Sequence, residues 1–323
     1  IIWVAAKKID QGVMEVGTMT AFITYSMMII MGFLMLTMVS IMLPRAAVAA
    51  NRIDEVLKTE ITIKDSHNAL TEKTNNAVVK FDHVDFKYAD GEENVLEDID
   101  FEAKPGQTVA IIGSTGSGKS TMINLIPRFY DVTEGFITLD GKDVRTLTQH
   151  DLREELGYVP QKGVLFSGTI ESNILYGNPD GSEAEMKEAA EIAQATEFIE
   201  EKHKKYESPI AQGGSNVSGG QKQRLSIARA IAKKPKVYIF DDSFSALDYK
   251  TDVTLRAALK EKTQDSTVII VAQRISTILH AEQIIVLDDG KIAGVGTSEE
   301  LLQTNEIYRE VYESQVKGGE EDE

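Results

Sequence analysis

The chain has 323 residues, room for about two domains, no cysteine, and a formal charge of −17 from 34 Lys+Arg against 51 Asp+Glu. The absence of cysteine excludes disulfides and cysteine-ligated metals, and the acidic balance opposes non-specific nucleic-acid binding, which needs a basic face to neutralise phosphates. Apolar character is unevenly spread, with eight of the ten methionines in the first 42 residues, so a composition boundary divides the chain.

Residues 1–6, Ile-Ile-Trp-Val-Ala-Ala, read as the tail of a preceding apolar span, so the sequence reads as starting mid-protein. From Gly17 to Leu43 no charged residue occurs. At about 1.5 Å per residue this stretch reaches roughly 40 Å as a helix, longer than the roughly 30 Å hydrocarbon core of a bilayer. It is predicted to span a membrane with some tilt. Core helices rarely run so far uncharged, and a signal peptide has a shorter apolar run, a basic lead and a small-residue cleavage site. Met31, Met35, Met38 and Met42 recur on one helical face, read as facing lipid or a neighbouring helix. Arg45, Arg52 and Lys58 follow, which puts the C-terminal side in the cytoplasm by the positive-inside rule. Beyond Pro44, the alanine-rich, amphipathic stretch 46–57 suits a helix continuing out of the membrane. Residues 1–58 are therefore predicted to be the C-terminal part of a transmembrane domain, spanning at about 17–43.

Residues 59–77 are polar and predicted to be a linker; residues 317–323, ending in Glu320-Glu-Asp-Glu323, are predicted to be a solvated acidic tail. Between them, over 78–316, strand-like runs at 78–86, 98–102, 108–112, 237–240, 267–271 and 284–287 alternate with helical stretches at Glu183–Ala195, Gly219–Ala232 and Thr251–Lys262. That alternation predicts a mainly parallel sheet covered by helices, with an antiparallel strand pair in front. The strand 108–112 runs into Gly113, Ser114, Thr115, Gly116, Ser117, Gly118, Lys119 and Ser120, and helix-compatible sequence begins at Thr121. A glycine loop between strand and helix is the context of a phosphate-binding loop. Its N–H groups and the helix N-terminus can wrap a polyphosphate, with Lys119 on the β- and γ-phosphates and the Ser120 hydroxyl on Mg²⁺. Ser218 is placed to N-cap the helix opened by Gly219, Gly220 and Gln221, leaving N–H groups for a second anion. The strand ending in Asp241 puts a carboxylate at the edge where open α/β sheets place ligands, a position suited to holding Mg²⁺.

These residues resemble the nucleotide-binding domain of ATP-binding-cassette transporters across essentially all of 78–316. The phosphate loop, Gln161 in Val-Pro-Gln161, Ser218-Gly219-Gly220-Gln221, the Asp241 strand and Ser245-Ala-Leu-Asp248 occur in the family's order. The resemblance implies an α/β P-loop NTPase fold with an antiparallel β subdomain and a helical subdomain. The preceding apolar segment resembles the last transmembrane helix of an exporter half-transporter, whose five earlier helices are absent or represented only by residues 1–6. ATP and Mg²⁺ are the implied cofactors. Tyr88 is expected to stack on adenine, Gly113–Ser120, Thr121 and Gln161 to bind ATP, and Ser120, Gln161 and Asp241 to meet the metal. Two such domains would pair head-to-tail, each ATP lying between one chain's phosphate loop and the other's Ser218–Gln221. Asp248 would then lie at the dimer interface, and Gln161 would sense the membrane domains. The implied partners are a second half-transporter, the lipid bilayer and a transported small molecule, with no nucleic acid. The implied location is the plasma membrane, multi-pass, with the nucleotide domain in the cytoplasm.

Two departures change that reading. The family's catalytic glutamate is replaced by Asp242, one methylene shorter, and its switch histidine by Gln273, whose amide cannot titrate. Gln212 likewise replaces a glutamate usual in exporters. The pattern resembles the degenerate subunit of heterodimeric bacterial multidrug exporters. It predicts a site that binds ATP and turns it over slowly, with Asp242 and Gln273 in the catalytic positions, and a non-identical partner carrying Glu and His there. A homodimeric exporter of lipid or peptide with a working Asp242, and an ATP-gated channel or regulatory subunit, are the alternative readings. A soluble cassette ATPase is opposed by the 17–43 span.

Overall fold

The computed structural model describes residues 1–66, 69–71 and 76–319, the side chains of 316–319 excepted. The acidic stretch at 320–323 and residues 67–68 and 72–75 of the expected linker lie outside the described residues. Contacts divide the chain into two units, Ile1–Thr62 and Ile63–Glu323.

The first unit is two helices, α1 (Ile2–Asp10) and α2 (Val16–Lys58). The helix at the start therefore runs past residue 6, to Asp10. At 43 residues α2 is about 65 Å long. It continues through Pro44 and is the one helix among the described residues long and apolar enough to cross a membrane. Five of its hydroxyls are satisfied within the helix. Thr20, Thr24, Ser26, Thr37 and Ser40 each donate to the carbonyl four residues back, at 2.7–3.1 Å, which satisfies a polar group inside an apolar surround.

In the second unit the chain begins with β1 (Val79–Phe86), β2 (Leu96–Ala103), β3 (Thr108–Gly113), α3 (Lys119–Leu125), β4 (Glu134–Leu139) and β5 (Lys142–Asp143). It then forms α4 (Gln149–Glu154) and β6 (Leu156–Val159), followed by β7 (Gly168–Thr169), α5 (Ile170–Ile174), α6 (Glu183–Ile192), α7 (Thr196–Glu200), β8 (Pro209–Ile210) and α8 (Gly219–Ala232). The last stretch holds β9 (Val237–Asp241), α9 (Tyr249–Lys262), β10 (Thr267–Val271), α10 (Ile275–Ile278), β11 (Gln283–Asp288), β12 (Lys291–Gly296), α11 (Ser298–Thr304) and α12 (Glu306–Gly319). The expected front pair β1–β2 is antiparallel and is joined by β4 and β5 into a four-stranded sheet ordered β2-β1-β4-β5. Part of the stretch expected as linker is held by this unit. Arg128 donates to the Lys64 carbonyl, Gln149 to the Ile63 carbonyl and Asp65 carboxylate, and Leu70 bridges to Leu147.

The main sheet has six strands in the order β12-β11-β3-β10-β9-β6, parallel except for the edge strand β12. Its central strands are near-continuous apolar runs because both faces are covered. The period of two sorts their side chains cleanly. Val109, Ile111, Val237, Ile239, Ile269 and Val271 join α3, α4 and the antiparallel sheet in one core, and Ala110, Ile112, Tyr238, Phe240, Val268 and Ile270 join α5 to α12 in a second. Both cores pin the strands along their length, so the loops at the carboxyl ends of β3, β10, β9 and β6 emerge side by side. That edge is where open α/β sheets receive ligands.

Candidate functional site

The glycine loop leaves β3 and enters α3 with backbone angles that only glycine takes easily: Gly116 has φ +89° and Gly118 φ +97°. Gly113 is required for a different reason. A Cβ there would lie 2.0 Å from the Leu287 carbonyl oxygen and 2.8 Å from Ser117 Oγ. Gly113→Ala must therefore push β3 and β11 apart. Overpacking of this kind costs about 1–3 kcal/mol, so the variant is expected to unfold several degrees lower. Any thermal shift on adding ATP is expected to be lost as well, both read by melting scans.

Lys119 curls back over this loop, donating from Nζ to the carbonyls of Gly113 at 3.0 Å and Ser114 at 2.6 Å. Burial lowers its pKa, while Asp242 and Asp241 oppose that shift. The Ser120 hydroxyl donates to Asp241 Oδ1 at 2.9 Å. Asp241 is buried at the end of β9, and burial raises its pKa, against the Ser120 hydrogen bond and with the repulsion of Asp242. Two buried carboxylates here face one lysine. A hydroxyl and a carboxylate oxygen held together, with excess negative charge around them, form a donor set suited to a hard divalent cation.

Asp242 joins the same cluster. Its φ is +44°, a left-handed backbone that aspartate tolerates better than most side chains. This turn keeps its carboxylate in the pocket, where Oδ2 accepts from Gln273 Nε2 at 2.9 Å and from Gln161 Nε2 at 3.2 Å. Gln161 follows β6 and Gln273 follows β10, so one carboxylate ties together the loops of three adjacent strands. Tyr88 and Thr121 also meet, hydroxyl to hydroxyl at 3.0 Å. The Tyr88 ring stands edge-on to Phe86 and Tyr130, with centroids at 4.8 and 5.1 Å.

Ser218–Gln221 and Asp248 lie apart from this cluster. Ser218 caps α8 in a reciprocal box, Gln221 N donating to Ser218 Oγ and Ser218 N to Gln221 Oε1, both at 3.2 Å. Gly219 is open, with no atom within 4 Å of its Cβ position, whereas Gly220 lies against the Ala246 carbonyl oxygen. Asp248 caps α9, accepting from Thr251 N at 3.0 Å, and hydrogen bonding from the Thr251 side chain, then from its N–H, lowers its pKa. Gln212 is exposed, at the start of the 3-10 turn Gln212–Gly214.

Sequence reasoning passes over Gln223. It is buried in α8 and grips both sides of Gln161, accepting from Gly163 N at 3.0 Å and donating to the Pro160 carbonyl at 3.1 Å. The available signal was a glutamine on the buried stripe of α8, four residues before Ile227.

The profile of the ABC transporter family matches residues 96–245. An uncharacterized ABC transporter ATP-binding protein of Mycobacterium bovis is 46% identical over 319 residues, 98% of this chain and 54% of that protein. A putative multidrug export ATP-binding/permease protein of Bacillus subtilis is 38% identical over 312 residues, 97% of this chain and 54% of that protein. The chain thus spans about half the length of the curated relatives it matches. Among solved structures, a bacterial Atm1-family ABC exporter with ATP bound superposes with a TM-score of 0.79 at 37% identity, covering 87% of this chain and 49% of that one. The chain therefore carries the ATP-binding domain of the ABC transporter family, homologous to those of exporter half-transporters and preceded by a long apolar helix.

Proposed function

We propose that this chain is part of a subunit of an ATP-driven exporter. Its own site binds ATP and turns it over slowly, and its Ser218–Gln221 segment completes a faster site on a non-identical partner. The observation that carries this reading is Asp242, a short carboxylate on a left-handed turn with Oδ2 already engaged by two amides. A carboxylate in the family's glutamate position must reach a water beyond the terminal phosphate. One methylene less withdraws it by about 1 Å, and a misplacement on that scale can cost about 10²-fold in rate. Gln273 offers the phosphate an amide donor but no proton to shuttle.

ATP binding itself is well supplied. The loop Gly113–Ser120 presents N–H groups, Lys119 offers a cation, and Tyr88, hydroxyl to hydroxyl with Thr121, is the ring proposed to stack on adenine. Ser120, Asp241 and Gln161 are the residues proposed to hold Mg²⁺, which when bound neutralises phosphate charge. ATP between two domains favours the closed pair by the difference in its affinity for the closed and open forms, and that difference can drive the membrane helices between states. The long uncharged helix α2 and the multidrug-export names of several relatives support an exporter in the plasma membrane.

The test is ATPase activity of the full-length protein, purified alone and co-expressed with a half-transporter bearing Glu and His at the positions of Asp242 and Gln273. Alone, the protein should retain ATP with little turnover. The pair should hydrolyse briskly, and Asp242→Asn should leave that rate nearly intact. Robust hydrolysis by the protein alone, abolished by Asp242→Asn, would replace this reading with a homodimer in which Asp242 works.

A further inference from the structure

Helix α12 carries an apolar stripe in which Tyr308, Val311 and Tyr312 pack into the core shared with Ile275 and Ile278 of α10. Gln315 falls on that stripe, at i+7 from Tyr308 and i+4 from Val311. The residue is itself exposed, yet its side chain takes up protein partners rather than water alone. It has two, both backbone groups of the loop after β10. Gln315 Nε2 donates to the Gln273 carbonyl at 2.8 Å, and Ile275 N donates to Gln315 Oε1 at 2.8 Å. The second bond is a helix cap delivered from 40 residues away, because Arg274, the N-cap of α10, makes no side-chain cap of its own. Together the two bonds bracket Arg274, whose guanidinium donates to the Ser245 carbonyl at 3.3 Å. The Ser245 hydroxyl in turn donates to the Asp242 carbonyl at 2.9 Å.

We propose that Gln315 is a positioning residue, through which α12 sets the approach of Gln273 to the terminal phosphate of ATP. This rests on the reading of Gln273 as a γ-phosphate donor. Gln273 and Arg274 are both exposed, between the buried Ala272 and Ile275. Gln315 fixes the peptide on either side of Arg274 to a helix whose Tyr308 is fully buried. The carbonyl it grips belongs to the residue whose side chain reaches Asp242. Freed from Gln315, that loop gains backbone freedom, and the Gln273 amide loses its fixed aim. The effect is expected at the terminal phosphate, since Gln315 holds the Gln273 loop and makes no hydrogen bond to the glycine loop.

The test is the ratio of ATP to ADP affinity, measured by calorimetry on the full-length protein with Mg²⁺ present. Gln315→Leu keeps the apolar packing of the stripe and removes both hydrogen bonds. Gln315→Glu keeps the acceptor over Ile275 N–H and loses only the donor to Gln273. Both should weaken the preference for ATP about fivefold, the worth of one positioned hydrogen bond, and leave ADP affinity unchanged. Gln273→Ala should do the same, and adding Gln315→Leu to it should have no further effect. A ratio that falls in Gln273→Ala but not in either Gln315 variant overturns the positioning role alone. A ratio that Gln273→Ala leaves intact overturns the phosphate-donor reading, and the role of Gln315 with it. A purely structural Gln315 would lower melting temperature and both affinities together, which also counts against the proposal.

Discussion

Asp242→Glu combined with Gln273→His should raise hydrolysis at this chain's own phosphate loop by about 10²-fold. The gain comes from reach. Asp242 Oδ2 now lies where the amides of Gln161 and Gln273 meet it, at 3.2 and 2.9 Å. Glutamate moves the carboxylate outward by one methylene, toward the water that must be oriented. Histidine in place of Gln273 removes one of the two amides and supplies a ring nitrogen that can donate to the terminal phosphate. The exchange is not free for the fold. Residue 242 has φ +44°, and a glutamate there lacks the short side chain that eases aspartate into this region, at a cost of about 1–2 kcal/mol. A lowered melting temperature should therefore accompany the faster turnover. The measurement is single-turnover hydrolysis in a pair whose partner site has been silenced by replacing its glutamate with glutamine. Unchanged turnover in a double variant that still binds ATP would show that reach does not limit this site.

The sequence makes the strands of the main sheet visible because each is a short apolar run between turn signals. Thr267–Val271 and Gly219–Ala232 coincide with observed elements, and the helix expected at Thr251 starts two residues earlier, where Asp248 caps it. What local pattern cannot supply is strand order. β6 has only four residues, Leu156–Val159, one of them a glycine that Pro235 overlies, too few to show a period. Gln161 was therefore found through the family's motif order and not through its strand. That Gln161, Asp242 and Gln273 converge follows from β10, β9 and β6 being neighbours, a property of topology alone. The same applies to Gln315, whose partners are 40 and 42 residues distant. The helix expected at Glu183–Ala195 stops at Ile192 because Gln194 turns left-handed at φ +54°, an event that no residue type in the segment announces. The candidate binding positions are legible as residue types, and the contacts between them are not.

Asp241→Asn should stabilise the nucleotide-free protein while abolishing its response to ATP with Mg²⁺. Asp241 and Asp242 are 7% and 8% exposed, and Lys119 is the cation that acts on Asp241, against burial and the repulsion of Asp242. Lys119 is itself occupied with the Gly113 and Ser114 carbonyls. The site thus holds a carboxylate whose charge burial disfavours. An asparagine keeps the shape and an oxygen for the Ser120 hydroxyl, and removes the repulsion. Relief of about 1 kcal/mol corresponds to a melting temperature about 2–4 °C higher for a domain of this size. The same change deletes the charge that would meet a divalent cation, so the stabilisation ATP with Mg²⁺ gives, about 2.7 kcal/mol at a hundredfold excess over Kd, should largely vanish. Asp242→Asn provides the contrast. Its carboxylate accepts from two amides, and neutralising it exchanges charge-assisted hydrogen bonds for weaker ones, so the nucleotide-free protein should melt lower. Opposite signs from two identical substitutions at adjacent residues would mark Asp241 as the position kept unstable for its ligand. A lower melting temperature in Asp241→Asn, or a preserved shift with ATP and Mg²⁺, would refute that assignment.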